Sequence, residues 1–467
     1  MESPLTWYTS RRAWGMSPGY DRPNHSGFER EVGENCLVCH VGSLLTLDGT
    51  MHKVRVDEAT ISCEQCHGPG ALHVERRSEE RRQGTVAAPA TQQDSFDDTI
   101  VNPRRLSREL AEAICEQCHL RSAAAIVAQG TSLRDFRPGL LLDDFHHVFR
   151  LDPPDEQMTV VGHVEQMNLS RCYQASREFT CLTCHSPHAE DKPRGDTRHY
   201  NAICQKCHSP EKCGMPVAER RRASADDHCI QCHMPKSDTD IPHLAFTHHR
   251  VGIHATAGVD EPSGSKRRAT ANEAAVLVPF RASGAVDAPE QMRSLGLAYL
   301  DAATREDNLR RRARFQRRSI DLLTQYRAAQ SAPDGVVDSW LARARFDFEL
   351  DGVRQLAERA LTDDSLTGFD RCNALFLLAD SQFAQRQYAD ALATLAKLHP
   401  LRRHSLQWLL EAQCAKNLGD EAKMEHALLQ AVRINPSLSN VHESLAALYR
   451  KRGDETRAKW HQERVLP

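Results

Sequence analysis

Aromatic residues are scarce in this chain: Phe, Trp and Tyr fill 6% of 467 positions, and apolar residues of all kinds only 40%. A chain of this length divides into two or more domains, yet its first half holds few large apolar side chains from which to build a core. Long apolar runs are missing as well. No stretch approaches 18 consecutive apolar residues, which excludes a membrane-spanning helix. Charge of one sign is not in excess: 60 Lys and Arg against 63 Asp and Glu leave a net charge of −3. Nothing global therefore points to nucleic acid or to an anionic membrane surface. The opening Met1-Glu-Ser-Pro-Leu-Thr-Trp7 lacks the basic region and the apolar region of an export signal.

What is abundant is unevenly spread. Fourteen of the sixteen cysteines lie before residue 233, and nineteen of the twenty-four histidines before residue 255. Twelve of those cysteines fall in six copies of Cys-x-x-Cys-His: Cys36, Cys39 and His40; Cys63, Cys66 and His67; Cys115, Cys118 and His119; Cys181, Cys184 and His185; Cys204, Cys207 and His208; Cys229, Cys232 and His233. Two cysteines one helical turn apart grip a porphyrin through thioether bonds, and the next residue presents an imidazole to its iron. Zinc ribbons pair Cys-x-x-Cys units but have no use for a His after each one. A thioredoxin-type Cys-x-x-Cys occurs once, on a βαβ background that is not seen here. The pattern predicts six covalently attached haems c. The porphyrins would supply the missing apolar mass, so the first half is not expected to fold without them.

Thioether attachment takes place outside the cytoplasm, so the chain is expected to be periplasmic or otherwise exported, with its leader not contained in this sequence. Thirteen further histidines precede residue 255, enough for a second imidazole on each of six irons. The candidates are His52 between the first two motifs, His73 after the Gly68-Pro69-Gly70 turn, and His163 at the start of a helical pattern. His188 follows His185 too closely to turn onto the same iron and is assigned to a neighbouring one. His243, His249 and His254 stand in a His-rich segment, 241–254, that has no Cys and is read as crossing back over the haems. His146 and His147 lie in an apolar run, where packing and ligation are equally open. Cys172 and Cys213 belong to no motif. In an oxidising compartment they are expected to form a disulfide rather than two buried thiols.

The strings CEQCHGPGALH, GHVEQMNLSRCYQASREFTCLTCHSPH and CIQCHMP…DIPHLAFTHHRVGIH resemble the multihaem cytochromes related to the tetrahaem carrier that serves hydroxylamine oxidoreductase. The resemblance spans roughly residues 5–460 and implies electron transfer, chiefly bis-His ligation and a periplasmic address. In many such relatives the haem region is followed by tetratricopeptide repeats. Relatives usually begin with a signal peptide and one further Cys-x-x-Cys-His module, and both are absent from this sequence.

Composition changes near residue 260. Residues 263–286, with Gly264 and Lys266-Arg-Arg268, read as a linker, and Asp287-Ala-Pro-Glu290 as a helix start with Asp as cap. From there the pattern is helical, and Gly352, Arg386, Gly419 and Gly453 recur every 33–34 residues at one turn position. Tyr388-Ala-Asp-Ala-Leu392 and 418–436 carry the second-helix signature of a tetratricopeptide unit. Such repeats bind peptides or protein partners. Cys372 and Cys414 fall at packing positions and are expected to be unpaired.

The fold class expected is mainly α: a loop-rich multihaem cytochrome c domain over 1–262, then a helical repeat solenoid over 287–467. The function expected is electron transfer between redox protein partners. An oxidoreductase acting on a small nitrogen or sulfur compound at an iron with an open position is the alternative.

Overall fold

The computed structural model describes the chain except for residues 10–11, 21–24, 48, 85–96, 121, 133, 153–160, 189–196, 225–226, 239–244, 255–274, 282–286, 347–351 and 466–467. It divides into two compact units, Thr60–Ala285 and a second made of Met1–Ala59 with Val286–Pro467. Composition draws its boundary differently. The first Cys-x-x-Cys-His belongs with the helical repeats, not with the other five motifs.

The helical unit is a succession of antiparallel helix pairs. They are Ala288–Thr304 with Leu309–Ala329, Gly335–Phe346 with Val353–Ala360, Gly368–Ala384 with Tyr388–Leu398, Ser405–Asn417 with Glu421–Ile434, and Ser439–Lys451 with Glu455–Gln462. Asp287 opens the series as expected, its side chain accepting from the Glu290 N–H at 2.8 Å. The recurring turn position is left-handed in each copy: φ is 81° at Gly352, 62° at Arg386, 75° at Gly419 and 75° at Gly453. Only glycine takes that conformation without strain, which explains the three glycines and makes Arg386 the exception. Small and apolar residues fill the spaces between helices, with Ala412, Ala427, Ala431, Leu445 and Tyr449 in one cluster and Cys372, Leu375, Leu395 and Leu398 in another. These are the two-helix units that the 33–34-residue period predicts. Cys372 and Cys414 are buried and free.

The N-terminal segment lies along these helices. Its strands Leu5–Tyr8 and Ala13–Met16 form a hairpin in which Trp7 faces Trp14. Farther on, the Phe28 N–H donates to Ile434 O at 3.3 Å and the Met51 N–H to Leu401 O at 2.8 Å. Glu29 accepts from the Ser405 N–H at 2.6 Å and Glu31 from the Arg403 N–H at 3.4 Å. Glu29 thus satisfies one of the open N–H groups at the start of helix Ser405–Asn417.

Among the described residues, the other unit has a three-stranded sheet, a two-stranded pairing of Lys236–Asp238 with Ala245–Thr247, and two small buried clusters. Strands Ala124–Val127, His146–Asp152 and Val276–Pro279 form an antiparallel sheet in that order. Two expectations change here. The Arg137-Pro-Gly139 and Asp152-Pro-Pro154 breaks favour loop over residues 131–160, and residues 263–286 read as a linker, yet both supply strands. The β-branched run Val276-Leu-Val278 buries Leu277 against the sheet, while Val148 and Phe149 are buried in its central strand. Apolar side chains between proline and glycine breaks are enough for a short strand when a partner is present. Helix Arg108–His119 packs Ala113 against Phe136 and Leu142. Among the described residues from Arg171 to His254 none is buried, so this stretch has no side-chain core of its own.

Candidate haem-binding site

Each motif is, locally, about one turn of helix. Cys66 and His67 N–H groups both donate to Cys63 O, at 3.1 and 2.9 Å. His185 donates to Cys181 O at 3.0 Å and His208 to Cys204 O at 3.0 Å. The first motif straddles the end of helix Glu34–Leu37, with the His40 N–H on Leu37 O at 2.9 Å. Cys115, Cys118 and His119 end the helix Arg108–His119, and Cys229–His233 is a helix in itself. Residues i and i+3 of a helical turn share a side, so each cysteine pair faces one way. Around the fourth motif, Thr180 and Thr183 form a reciprocal capping box that fixes where the turn begins. Gly68, at φ 76°, turns the chain away directly after His67.

Motifs distant in sequence come together. The Cys115 thiol is hydrogen-bonded with that of Cys181, joining the third and fourth. Cys204 bonds Cys229, joining the fifth and sixth.

The imidazoles converge as well. His67 and His188 are stacked, ring centres 5.7 Å apart and planes 21° from parallel. His185 and His249 are stacked at 6.2 Å and 24°. His163 stands edge-on between His119 at 4.9 Å and His249 at 4.5 Å. Neighbouring protein atoms set the ring orientations. His67 Nδ1 lies 2.7 Å from Val101 O, His233 Nδ1 2.9 Å from Gly252 O, and His249 Nδ1 2.9 Å from Thr247 O. A carbonyl on Nδ1 holds the proton there and turns the Nε2 lone pair outward, the arrangement typical of metal-binding histidine. Burial, and then the neighbouring His249, His119 and His185, push His163 down to about 3. Burial likewise pushes His249 down to about 4. Both are neutral at physiological pH, the form that ligates a metal.

The remaining candidates differ. His73 Nδ1 contacts Asp97 Oδ2 at 2.9 Å, again leaving Nε2 as the outer nitrogen. His52 belongs to the helical unit, where its Nδ1 is buried without a hydrogen-bond partner. His254 uses Nε2 on Arg250 O at 2.9 Å and lies with its ring centre 4.8 Å from that of His248, tilted by 57°, so in this arrangement its ligating nitrogen is engaged. His243 lies outside the described residues. His146 is half-buried at the start of the central strand with its Nε2 buried and unpartnered, and burial pushes it down to about 4. The expected Cys172–Cys213 bridge is not formed. Cys172 opens a short helix toward Cys184 and Cys207, whereas Cys213 bonds Arg220. Spacing in sequence gave no hint of these separate surroundings.

Sequence reasoning also missed the polar setting. His67 and His188 line a cavity of about 300 Å³ together with Ile100, Asn102, Arg104 and Arg105. Around the third motif, Glu116 is fully buried and takes a bidentate contact from Arg281. Glu112 accepts from Tyr173 Oη at 2.7 Å, and Arg108 lies 3.5 Å over the Tyr173 ring. The i, i+4 spacing of Glu112 and Glu116 on an amphipathic helix was the available signal.

These residues fit haem c. The paired cysteines face one way, the imidazoles present Nε2, Arg104 and Arg105 suit propionate groups, and a segment with no side-chain core calls for apolar mass of another kind.

Comparison with known proteins agrees. Residues 174–212 match the family model "Doubled CXXCH motif", which takes in the fourth and fifth motifs. The comparison with curated protein sequences gives no match. Among solved structures, "MamA MSR-1 C2" is 18% identical and covers 38% of this chain and 94% of that one, with a TM-score of 0.31. "MamA AMB-1 C2221" is 20% identical over 38% and 95%, with a TM-score of 0.30.

Proposed function

With a doubled Cys-x-x-Cys-His match that indicates covalent haem c and electron transfer, we propose that the chain is an exported carrier of six haems, mostly or wholly bis-His ligated. Its helical unit docks protein partners. The observation that carries this reading is the pairing of His67 with His188 and of His185 with His249. Two metal–imidazole bonds of about 2 Å on opposite sides of one metal atom separate ring centres by roughly 6 Å, and both pairs are near that distance. His188 then serves the second haem, His249 the fourth and His163 the third. Bound haem supplies an iron that moves between ferric and ferrous states one electron at a time.

The chain's own residues do the rest. Cysteines fix each ring, Val101 O, Gly252 O and Thr247 O hold tautomers, and buried neutral imidazoles stay available as ligands. The three His-rich strings extend the reading to a periplasmic carrier that takes electrons from a hydroxylamine oxidoreductase-like donor.

Carbon monoxide tests the assignment. Irons with two imidazoles leave no open position, so the Soret band of the fully reduced protein is expected not to shift. A shift accounting for one or more haems would favour the small-molecule oxidoreductase instead.

A further inference from the structure

The helical unit carries a groove of about 700 Å³ between helix Glu421–Ile434 and helix Glu455–Gln462. These are the second helices of two successive pairs. Leu429, Val432 and Pro436 give it an apolar lining, and Trp460, 48% exposed, stands at its edge. Its charged lining residues, Arg433 and Arg464, are both cationic; among the described residues no carboxylate lines it. Arg464 lies 3.5 Å over the Trp460 ring and donates to Trp460 O at 2.8 Å. That contact holds the planar guanidinium in place while leaving donors for a ligand. Arg433 is exposed and makes no ion pair or hydrogen bond among the described residues.

The floor is fixed by two buried histidines. His442 Nε2 meets Pro436 O at 3.0 Å, and its Nδ1 meets His461 Nδ1 at 2.9 Å. Burial, His442 and Arg464 together push His461 down to about 4, with no carboxylate opposing them. The groove is therefore a positive field over an apolar surface.

We propose that this groove receives an acidic peptide segment of a protein partner, with a carboxylate on Arg433 and Arg464 and an apolar side chain against Leu429, Val432 and Trp460. The proposal rests on the docking role given above and names where one contact is made. Tryptophan and arginine side by side are the residues that dominate binding energy at protein interfaces, and planar guanidinium groups suit carboxylates. Two cations are too few for a nucleic acid, whose affinity comes from about 6–10 phosphate contacts. The apolar lining has no role toward a free anion.

The test uses the full haem-loaded chain and a short fluorescein-labelled peptide alternating Glu and Leu, with Gln/Leu and Lys/Leu peptides beside it. The Glu/Leu peptide is expected to bind best, and Arg433→Glu or Arg464→Glu to weaken it about tenfold or more. Both side chains are exposed, so unchanged circular dichroism and Soret spectra are expected to show that the fold persists. Binding of the Glu/Leu peptide that neither substitution weakens overturns the groove while leaving docking elsewhere on the helical unit standing. Failure of all three peptides to bind overturns the groove and counts against the docking role. Displacement by millimolar inorganic phosphate from wild type, or equal binding of the Gln/Leu peptide, also overturns the proposal, leaving a simple anion or apolar site.

Discussion

The imidazole rings of His67 and His188 have centres 5.7 Å apart and planes 21° from parallel, although His67 ends the second motif and His188 follows the fourth. The chain thus brings a histidine that follows one Cys-x-x-Cys-His turn next to the histidine that ends another. His188→Ala is expected to turn one haem high-spin, and that haem is the one held at Cys63 and Cys66. Adding Cys63→Ala and Cys66→Ala should then abolish the new high-spin signal in electron paramagnetic resonance. If the signal instead disappears with Cys181→Ala and Cys184→Ala, the pairing is wrong.

Glu29 reaches from the N-terminal segment to the start of helix Ser405–Asn417, and its side chain is 8% exposed. Removing a cap of this kind costs about 1–2 kcal/mol. Glu29→Ala is expected to lower the urea midpoint of the helical unit accordingly. A fragment of residues 286–467 should be soluble, helical and free of haem, yet less stable than the same repeats joined to residues 1–59. Equal midpoints for the two would show that the segment contributes nothing.

Asp370 accepts from Trp340 Nε1 at 2.6 Å, and burial pushes its carboxyl up to about 6 against an ordinary 3.8. A folded-state value above the unfolded one means that folding favours the protonated acid. Its stabilising contribution is complete below about pH 4 and is lost as pH rises through 6. Asp370→Asn keeps an oxygen for Trp340 without the charge. The variant is expected to melt higher than wild type at pH 7.5, with the difference shrinking toward pH 4. A difference that grows on acidification contradicts the sign.

Arg386 holds the left-handed turn position that glycine takes in the neighbouring repeats. The conformation costs a non-glycine residue roughly 1–2 kcal/mol, so Arg386→Gly is expected to raise the melting temperature of the helical unit. An unchanged or lower value would mean that the Arg side chain offsets the strain.

Much of this was legible in the sequence, for identifiable reasons. The left-handed turns at Gly352, Gly419 and Gly453 announce themselves because only glycine is comfortable there. The six motifs do so because thioether chemistry dictates their spacing. The shortness of the link from His185 to His188 pointed His188 toward another motif, and its ring lies beside that of His67. The strand Val276–Pro279 was hidden because its partner, His146–Asp152, lies far away in the chain. The placement of residues 1–59 on the helical repeats was equally hidden, since it depends on single carboxylates such as Glu29 meeting backbone N–H groups. Which imidazole meets which is long-range geometry, and the separation of Cys172 from Cys213 belongs with it.

Near-infrared magnetic circular dichroism of the fully oxidised protein, with its haem content counted by mass spectrometry, tests the central claim most directly. The account predicts six haem masses on the polypeptide and charge-transfer bands of low-spin iron with two imidazole ligands, with no high-spin band. Fewer than six haems, or a high-spin band from any of them in the native protein, would contradict a chain of six bis-His haems built for electron transfer.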